Sequence, residues 1–286
     1  MDRLKTAPYG KTTDNAVAPH LTLSAMDVAV IGGGRWGKVL CKTLARSDHV
    51  GTVHVVSRRN LRGMHEWLAD QAASSQIVVH DNINDLLDRP QIRAAFVANL
   101  PAEHFATSKQ LLEHGKHVLV EKPFVATSAQ AITLIELAEA RGLVLAVGLE
   151  FLFASYLHHL KEIVAGLSLQ ECEITWHDVF IEQKWGVTKR PEATTSVVGD
   201  LLPHVLSILT VLLGAQVTQA IRVKSADGGL SALVDFRYDL APVRVSFSRA
   251  AANPQRELKL FAQDGRVFML DFTREPGTVS IDDESR

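Results

Sequence analysis

The sequence predicts an α/β protein of two domains, in which a doubly wound parallel sheet is followed by an α+β domain with an open, mostly antiparallel sheet. Three observations lead to this prediction. The 286 residues exceed the usual size of a single hydrophobic core. Between residues 26 and 150, short apolar runs alternate with amphipathic stretches, which is typical of βαβ units. In residues 151–286, polar and apolar positions alternate between turn signals, which is typical of a sheet with one packed face.

Six apolar runs predict the strands of the first domain. They lie at residues 27–32, 51–57, 76–81, 94–100, 116–122 and 143–150. Amphipathic stretches at 37–47, 103–115 and 128–142 predict helices between them, and the last two end in glycine, as helices often do. Strands and helices in this alternation make a doubly wound domain over residues 26–150.

The second domain begins with a predicted helix at 154–166 and a strand at 171–180. A polar loop through Pro191 then leads to an apolar helix at 199–213. The remaining strands alternate in polarity and are predicted at 220–225, 232–240, 243–250, 257–262, 266–272 and 278–282.

Composition narrows the class of protein. The chain is 47% hydrophobic and 22% charged with a net charge of −2, so nothing favours a nucleic-acid partner, and a small-molecule substrate is expected. Residues 1–25 lack the apolar core of a signal peptide and are interpreted as a flexible leader, and no run suggests a membrane span or membrane partner. Two cysteines without ligand spacing predict a reducing, cytoplasmic location and no metal site.

The first predicted strand leads directly into GGGRWGKVL. Gly32, Gly34 and Gly37 have the G-x-G-x-x-G spacing, which allows a tight turn, a close approach of backbone to pyrophosphate, and packing of helix on strand. The strand before it and the amphipathic helix after it are the context of a Rossmann dinucleotide site. We therefore expect this turn, including Arg35 and Trp36, to bind a nicotinamide dinucleotide.

The second predicted strand ends in VVSRRN, without the acidic residue that usually binds the ribose of NAD. Ser57 has a hydroxyl, and Arg58 and Arg59 have planar, charged groups suited to a 2′-phosphate. This ending favours NADP(H) as the cofactor, with NAD(H) as the alternative.

Two further segments carry polar residues in apolar surroundings. Lys122 ends the fifth predicted strand, at the edge where doubly wound sheets bind ligands, and could move a proton to or from a substrate oxygen. Taken alone, it is better explained by a surface salt bridge. Asp200 and His204 lie four residues apart, and therefore on one face of the apolar helix. Taken alone, this pair is better explained by a capping Asp and a buried, hydrogen-bonded His than by a functional site.

Three blocks of the sequence resemble the Gfo/Idh/MocA oxidoreductases, the family of glucose-fructose oxidoreductase and inositol dehydrogenase. The blocks are VAVIGGGRWG, FVANLPAEHFATSKQLLEHGKHVLVEKPF and GDLLPHVLSIL, which occur in the family's order between residues 26 and 213. The resemblance implies hydride transfer between nicotinamide and a secondary alcohol or carbonyl carbon, commonly on a sugar or cyclitol. It also implies a second domain, here shortened, whose open sheet makes contacts in a homo-oligomer.

The resemblance also implies roles for individual residues. Lys122 matches the family's catalytic lysine, and Asp200 and His204 match the paired residues of its D-x-G-x-H-x-x-D pattern. The other matching residues are expected to lie along the cofactor, and these are Asn99, Leu100, Pro101, His104, Glu121 and Pro123. Hydride transfer to a carbonyl needs a proton donor, for which Lys122 and His204 are candidates, with Asp200 as an orienting carboxylate.

Two departures from the family pattern leave a second interpretation open. Leu202 replaces the pattern's Gly, and Ser207 replaces its last Asp. The leading hypothesis is an NADP(H)-dependent dehydrogenase or reductase acting on a carbonyl/alcohol or imine/amine carbon of a sugar-like or biosynthetic intermediate. The alternative is a non-catalytic NAD(P)-binding sensor or assembly subunit. A loop with Lys184, Trp185, Lys189 and Arg190 is a weaker candidate for binding an anionic substrate.

Overall fold

The computed structural model describes residues 25–72, 74–180, 182–184, 187–189, 195–214, 221–238 and 241–283. Nearly all of the predicted leader, residues 1–24, lies outside them. The described chain divides into two compact units between Gly148 and Leu149, and each unit is built around its own sheet. Among the described residues, no helix has the length and apolarity needed to cross a membrane.

The first unit contains a parallel sheet of six strands in the order β3-β2-β1-β4-β5-β6. The strands are β1 Met26–Ile31, β2 Val50–Val56, β3 Ile77–His80, β4 Ile92–Val97, β5 His117–Glu121 and β6 Leu145–Gly148. Ile31 pairs with Val56 on one side and with Val97 on the other, so β1, β2 and β4 end at the same edge. This register brings together the three loops that follow these strands.

Helices cover both faces of this sheet, as predicted for a doubly wound domain. They are α1 Arg35–Leu44, α2 Leu61–Ala69, α3 Asn84–Leu87, α4 His104–Glu113 and α5 Ser128–Ala140. One core contains Cys41 and Met64, and the other contains Leu111 and Leu134. The central strands are apolar on both sides because each side faces a core.

The second unit is built on a seven-stranded sheet in the order β10-β11-β12-β7-β13-β14-β15. Its helices are α6 Ser155–Val164 and α7 Val197–Leu213, and its strands are β7 Leu169–Val179, β10 Arg222–Ala226, β11 Ser231–Tyr238, β12 Ala241–Ala251, β13 Gln255–Ala262, β14 Arg266–Asp271 and β15 Thr278–Asp283. Every pairing is antiparallel except that of β12 with β7. The predicted fold class is therefore confirmed for both units.

The prediction that the segment before α7 is a polar loop is wrong in one respect. It contains a short antiparallel hairpin of β8 Glu182–Lys184 and β9 Val187–Lys189. Strands of three residues are too short to show an alternating pattern in sequence. The side chains considered for an anionic substrate in this hairpin and after it lie outside the described residues.

Candidate functional sites

The glycine turn after β1 is held by the strands on both sides of it. The amide of Gly32 donates to the carbonyl of Val56 at 3.0 Å, and the amide of Ala98 donates to the carbonyl of Ile31 at 2.8 Å. Gly32 has φ +123°, and a Cβ there would lie 2.5 Å from the carbonyl oxygen of Ala98. Both the backbone angle and the close approach therefore require glycine.

The other two glycines of the motif have different surroundings. A Cβ on Gly37 would lie 1.8 Å from the carbonyl oxygen of Gly32, because α1 packs directly on the turn. A Cβ on Gly34 would have no described atom within 4 Å. Gly34 precedes the N-terminus of α1, where backbone amides favour an anion, so the open space there suits a phosphate group.

A cleft of about 620 Å³ extends from this turn, a volume within the usual range for small-molecule sites. Several predicted cofactor residues line it, namely Gly32, Gly34, Ser57, Arg58, Arg59, Asn99 and Leu100. The cleft lies where the strand order reverses between β1 and β4, the usual ligand position in doubly wound sheets. Among these residues, the glycine turn and the two arginines are chemically suited to the phosphate groups of a dinucleotide.

The basic end of β2 forms one wall of the cleft. Ser57 is buried, and its Oγ lies 2.3 Å from where a Cβ of Gly33 would stand, so Gly33 is also required. Nη2 of Arg59 donates to Oε1 of Glu103 at 2.7 Å, and Nη2 of Arg58 lies 3.5 Å from the same oxygen. The arginines remain largely exposed and therefore accessible to a ligand.

Other predicted cofactor residues do not line the cleft, namely Arg35, Trp36, Gly37, Pro101, His104, Glu121, Lys122 and Pro123. Trp36 begins the first turn of α1 and donates its indole N–H to Oε1 of Glu121 at the end of β5. A Cβ on Gly148 would lie 2.9 Å from this same carboxylate oxygen, so the neighbouring strand leaves room for it. Glu121 is thereby fixed directly before Lys122.

His104 contacts two loops of the first unit. Its side chain is buried at the start of α4. Nδ1 lies 2.8 Å from the carbonyl oxygen of Pro123, and Nε2 lies 3.3 Å from that of Asn99. The imidazole therefore joins the loop after β4 to the loop after β5, which follows Lys122.

In the second unit, α7 begins with a different cap from the one considered from sequence. Ser196, rather than Asp200, caps the helix by accepting a hydrogen bond from the amide of Gly199 at 3.1 Å. Asp200 lies in the first turn and accepts a bond from Nη2 of Arg249 at 2.5 Å. Nη1 of Arg249 donates to the carbonyl of Thr195 at 2.8 Å, so this buried arginine holds Asp200 against the start of the helix.

His204 is enclosed by aromatic rings and is only 4% exposed. Its ring stacks on Trp176 with centroids 5.5 Å apart and meets Phe151 edge-on at 5.4 Å. Nδ1 lies 3.6 Å from Oε2 of Glu150. Ser207, the departure from the family pattern, donates its hydroxyl to the carbonyl of His204 at 2.7 Å. The orientation of the imidazole is thus fixed by its packing against Trp176 and Phe151.

Trp176 connects His204 to a second ion pair. The guanidinium of Arg256 lies 5.1 Å from the centre of the Trp176 ring and donates from Nε and Nη2 to Oδ1 of Asp178 at 3.0 and 2.7 Å. Phe272 also packs edge-on against the indole. These rings belong to the buried core of the second unit, and the ion pair of Arg256 with Asp178 lies beside them.

Sequence reasoning did not single out Glu103, Trp176, Arg249 or Arg256. Each acts through a partner on another element, and the pairing depends on how strands and helices pack. The one available signal was the alternation in β7 and β12, which directs Trp176 and Arg249 to the covered face of the sheet.

Residues 26–149 match the model of the oxidoreductase family GFO_IDH_MocA, which has an NAD-binding Rossmann fold. This match confirms the resemblance seen in the sequence blocks, and the named relatives are oxidoreductases.

Two curated relatives extend the likeness. An uncharacterized oxidoreductase of Synechocystis sp., sll0816, is 25% identical over 203 residues, which cover 69% of this chain and 52% of that protein. UDP-N-acetylglucosamine 3-dehydrogenase of Acidithiobacillus ferrooxidans is 24% identical over 258 residues, which cover 86% of this chain and 74% of that protein. The chain therefore spans only about half the length of the first of these relatives.

Among solved structures, GenD2 from gentamicin A biosynthesis, in complex with NAD, matches with a TM-score of 0.76 and 22% identity. The match covers 93% of this chain and 75% of that chain. At this level of identity the likeness shows a shared fold, which includes both units.

Proposed function

We propose that the chain is an NADP(H)-dependent dehydrogenase or reductase, because its residues 26–149 match the model of the Gfo/Idh/MocA oxidoreductases. The reaction transfers a hydride between nicotinamide and a carbonyl/alcohol or imine/amine carbon of a small molecule. The observation that carries the proposal is the cleft of about 620 Å³ at the glycine turn, with open space at Gly34 for a phosphate.

The residues that would hold the cofactor surround this cleft. The turn at Gly32 and Gly34 and the N-terminus of α1 would bind the pyrophosphate. Ser57, Arg58 and Arg59 would bind the 2′-phosphate, which supports NADP(H) over NAD(H). When bound, the nicotinamide supplies or accepts the hydride.

Three side chains of the chain itself are proposed to act on the substrate. Lys122 gives or takes the proton at the substrate heteroatom, because an ammonium group beside the edge of β5 is a suitable acid. His204 is a second donor or a substrate-binding group, and Asp200 is an orienting carboxylate. The ion pair with Arg249 supports the orienting role, since it holds the Asp200 carboxylate in place.

The proposed substrate is sugar-like or a related biosynthetic intermediate. This proposal is supported by the relative that is named for a dehydrogenation at position 3 of UDP-N-acetylglucosamine. Further proposals follow from the family resemblance and composition. The outer face of the second sheet makes the contact of a homo-oligomer, and the two buried free thiols, Cys41 and Cys172, suit the cytoplasm.

The test is the variant Lys122→Ala, compared with Lys109→Ala on the exposed side of α4 as a control. Turnover is measured by the absorbance of reduced nicotinamide with UDP-N-acetylglucosamine and a panel of free hexoses. We expect Lys122→Ala to lower kcat by about 10²-fold or more, while the Kd for NADPH changes by less than about threefold. Unchanged turnover in this variant would refute the acid/base role. Tight NADPH binding without turnover of any substrate by the wild-type protein would favour the sensor alternative.

A further inference from the structure

Glu103 forms an ion pair that joins two walls of the cleft at the glycine turn. It ends the short 3₁₀ turn Pro101–Glu103 after β4, whereas Arg58 and Arg59 follow β2. In the sheet, β2 and β4 flank β1 on opposite sides. The ion pair therefore joins the two loops on either side of the glycine turn.

The contacts of Glu103 divide between its two oxygens. Oε1 accepts from Nη2 of Arg59 at 2.7 Å and lies 3.5 Å from Nη2 of Arg58, while Oε2 accepts from Nδ2 of Asn99 at 3.3 Å. Nδ2 of Asn99 also donates to Oγ1 of Thr107 at 2.9 Å. All five residues line the same cleft.

Exposure shows which partners can respond to a ligand. The side chain of Glu103 is 33% exposed, whereas those of Arg58 and Arg59 are 72% and 61% exposed. The carboxylate is thus held in the wall by Asn99, and the arginines extend from the other wall toward it. An ion pair between an exposed arginine and a single carboxylate oxygen is weak. Arg58 and Arg59 can therefore leave Glu103 for another anion at little cost in free energy.

From this geometry we propose that Glu103 is a specificity-determining residue, whose carboxylate competes with the 2′-phosphate of NADP(H) for Arg58 and Arg59. The inference rests on the proposed use of these arginines in the dinucleotide site. A 2′-phosphate that reaches them must displace Glu103 or accept a negative charge nearby. The uncharged 2′-hydroxyl of NAD(H) requires neither of these changes. Glu103 therefore reduces the difference in affinity between NADP(H) and NAD(H).

The experiment compares fluorescence titrations with NADPH and with NADH for the wild-type protein and Glu103→Gln. Gln keeps the size and the acceptor oxygen while removing the charge. The matched control is Glu113→Gln, which removes a charge from the opposite end of α4, where Glu113 pairs with Lys109 outside the cleft. Thermal unfolding of each variant confirms that it is folded.

We expect Glu103→Gln to lower the Kd for NADPH by about three- to tenfold, the effect of removing one negative charge near a dianion in a solvent-screened site. The Kd for NADH should change by less than twofold, and Glu113→Gln should leave the ratio of the two constants unchanged. In the double variant Glu103→Gln/Arg59→Gln, most of the gain in affinity for NADPH should be lost.

Two results would overturn the inference. If Glu103→Gln changes the Kd for NADPH and the Kd for NADH by the same factor, the carboxylate does not discriminate between the two dinucleotides. If it weakens NADPH, the carboxylate positions the arginines instead of competing for them. Failure of the proposed function gives a different pattern, in which the wild-type protein binds neither dinucleotide, or Arg59→Gln alone affects NADPH and NADH equally. Should Glu103→Gln unfold, Glu103→Ala with the same titrations decides between these outcomes.

Discussion

The glycine turn after β1 and the surroundings of His204 are built in different ways. The glycine turn is formed by backbone that directly follows β1, and its glycines are required by contacts of 1.8 to 2.5 Å. The environment of His204 is formed by side chains of Phe151, Trp176 and Glu150, which come from separate elements. A site built from backbone leaves a local signature in sequence, whereas a site built from packed side chains does not.

The largest effect that would test this contrast is expected for the glycine turn. A Cβ on Gly37 would meet the carbonyl oxygen of Gly32 at 1.8 Å, and backbone there is held by both neighbouring strands. We expect Gly37→Ala to lower the free energy of unfolding by about 3 kcal/mol or more. Chemical denaturation followed by circular dichroism measures this loss.

Gly34→Ala is the matched variant. No described atom lies within 4 Å of the added carbon, and φ −72° is favourable for alanine, so stability should stay within about 0.5 kcal/mol of the wild type. Dinucleotide affinity should fall at least tenfold, because the methyl group occupies the place proposed for the phosphate. Equal stability loss in the two variants would contradict the different surroundings of the two glycines.

The next effect concerns the side-chain site. Arg249 is buried and is bonded to Asp200, so Arg249→Ala leaves a partly buried carboxylate without this partner. We expect a loss of about 2 to 4 kcal/mol in the free energy of unfolding. Arg244→Ala on the same strand is the control. Arg244 is 58% exposed and lies among Glu171, Glu173 and Asp235, so its loss should cost at most about 1 kcal/mol. If the two variants lose equal stability, Arg249 does not balance Asp200 in the way that the contacts indicate.

The smallest effect is expected from a histidine pair in the first unit, in which His54 is buried and His80 is partly buried. Nδ1 of His54 lies 3.0 Å from Nε2 of His80, and Asp27 and Asp85 flank the pair. Burial lowers the pKa of both rings, and the neighbouring ring and Arg89 lower the pKa of His80 further, while the carboxylates oppose the shift.

The sign of the pH dependence follows from these lowered values. The unfolded chain binds protons at these histidines below about pH 6.5, whereas the folded protein does not, so the contribution is fully present above that pH. It is lost as pH falls from there toward the folded pKa values. Because water screens these groups in part, we expect the loss from pH 7.5 to 5.5 to be at most about 1 kcal/mol. Urea unfolding at both pH values should show a smaller decrease for His54→Gln/His80→Gln than for wild type or for exposed His65→Gln. An identical decrease in all three proteins would assign the acid sensitivity to other groups.

The fold could be predicted from sequence because its signals are local. Runs such as DVAVIG are apolar on both faces, and the strands of the second unit alternate because only one face is covered. The glycine motif and Lys122 could be located for the same reason. The hairpin before α7, the cap at Ser196 and the pair of Asp200 with Arg249 could not. Each depends on a few residues or on partners 49 residues apart, whose meeting is decided by packing.

The imidazole of His104 restrains two loops of the first unit at once. It bonds the carbonyl of Pro123 at 2.8 Å and lies 3.3 Å from that of Asn99, so two loops share one rigid ring. Neither carbonyl can shift by an ångström without stretching a contact to that ring. The segment that borders the cleft and the turn that carries Lys122 are therefore mechanically coupled through this ring, and a displacement of one strains the other.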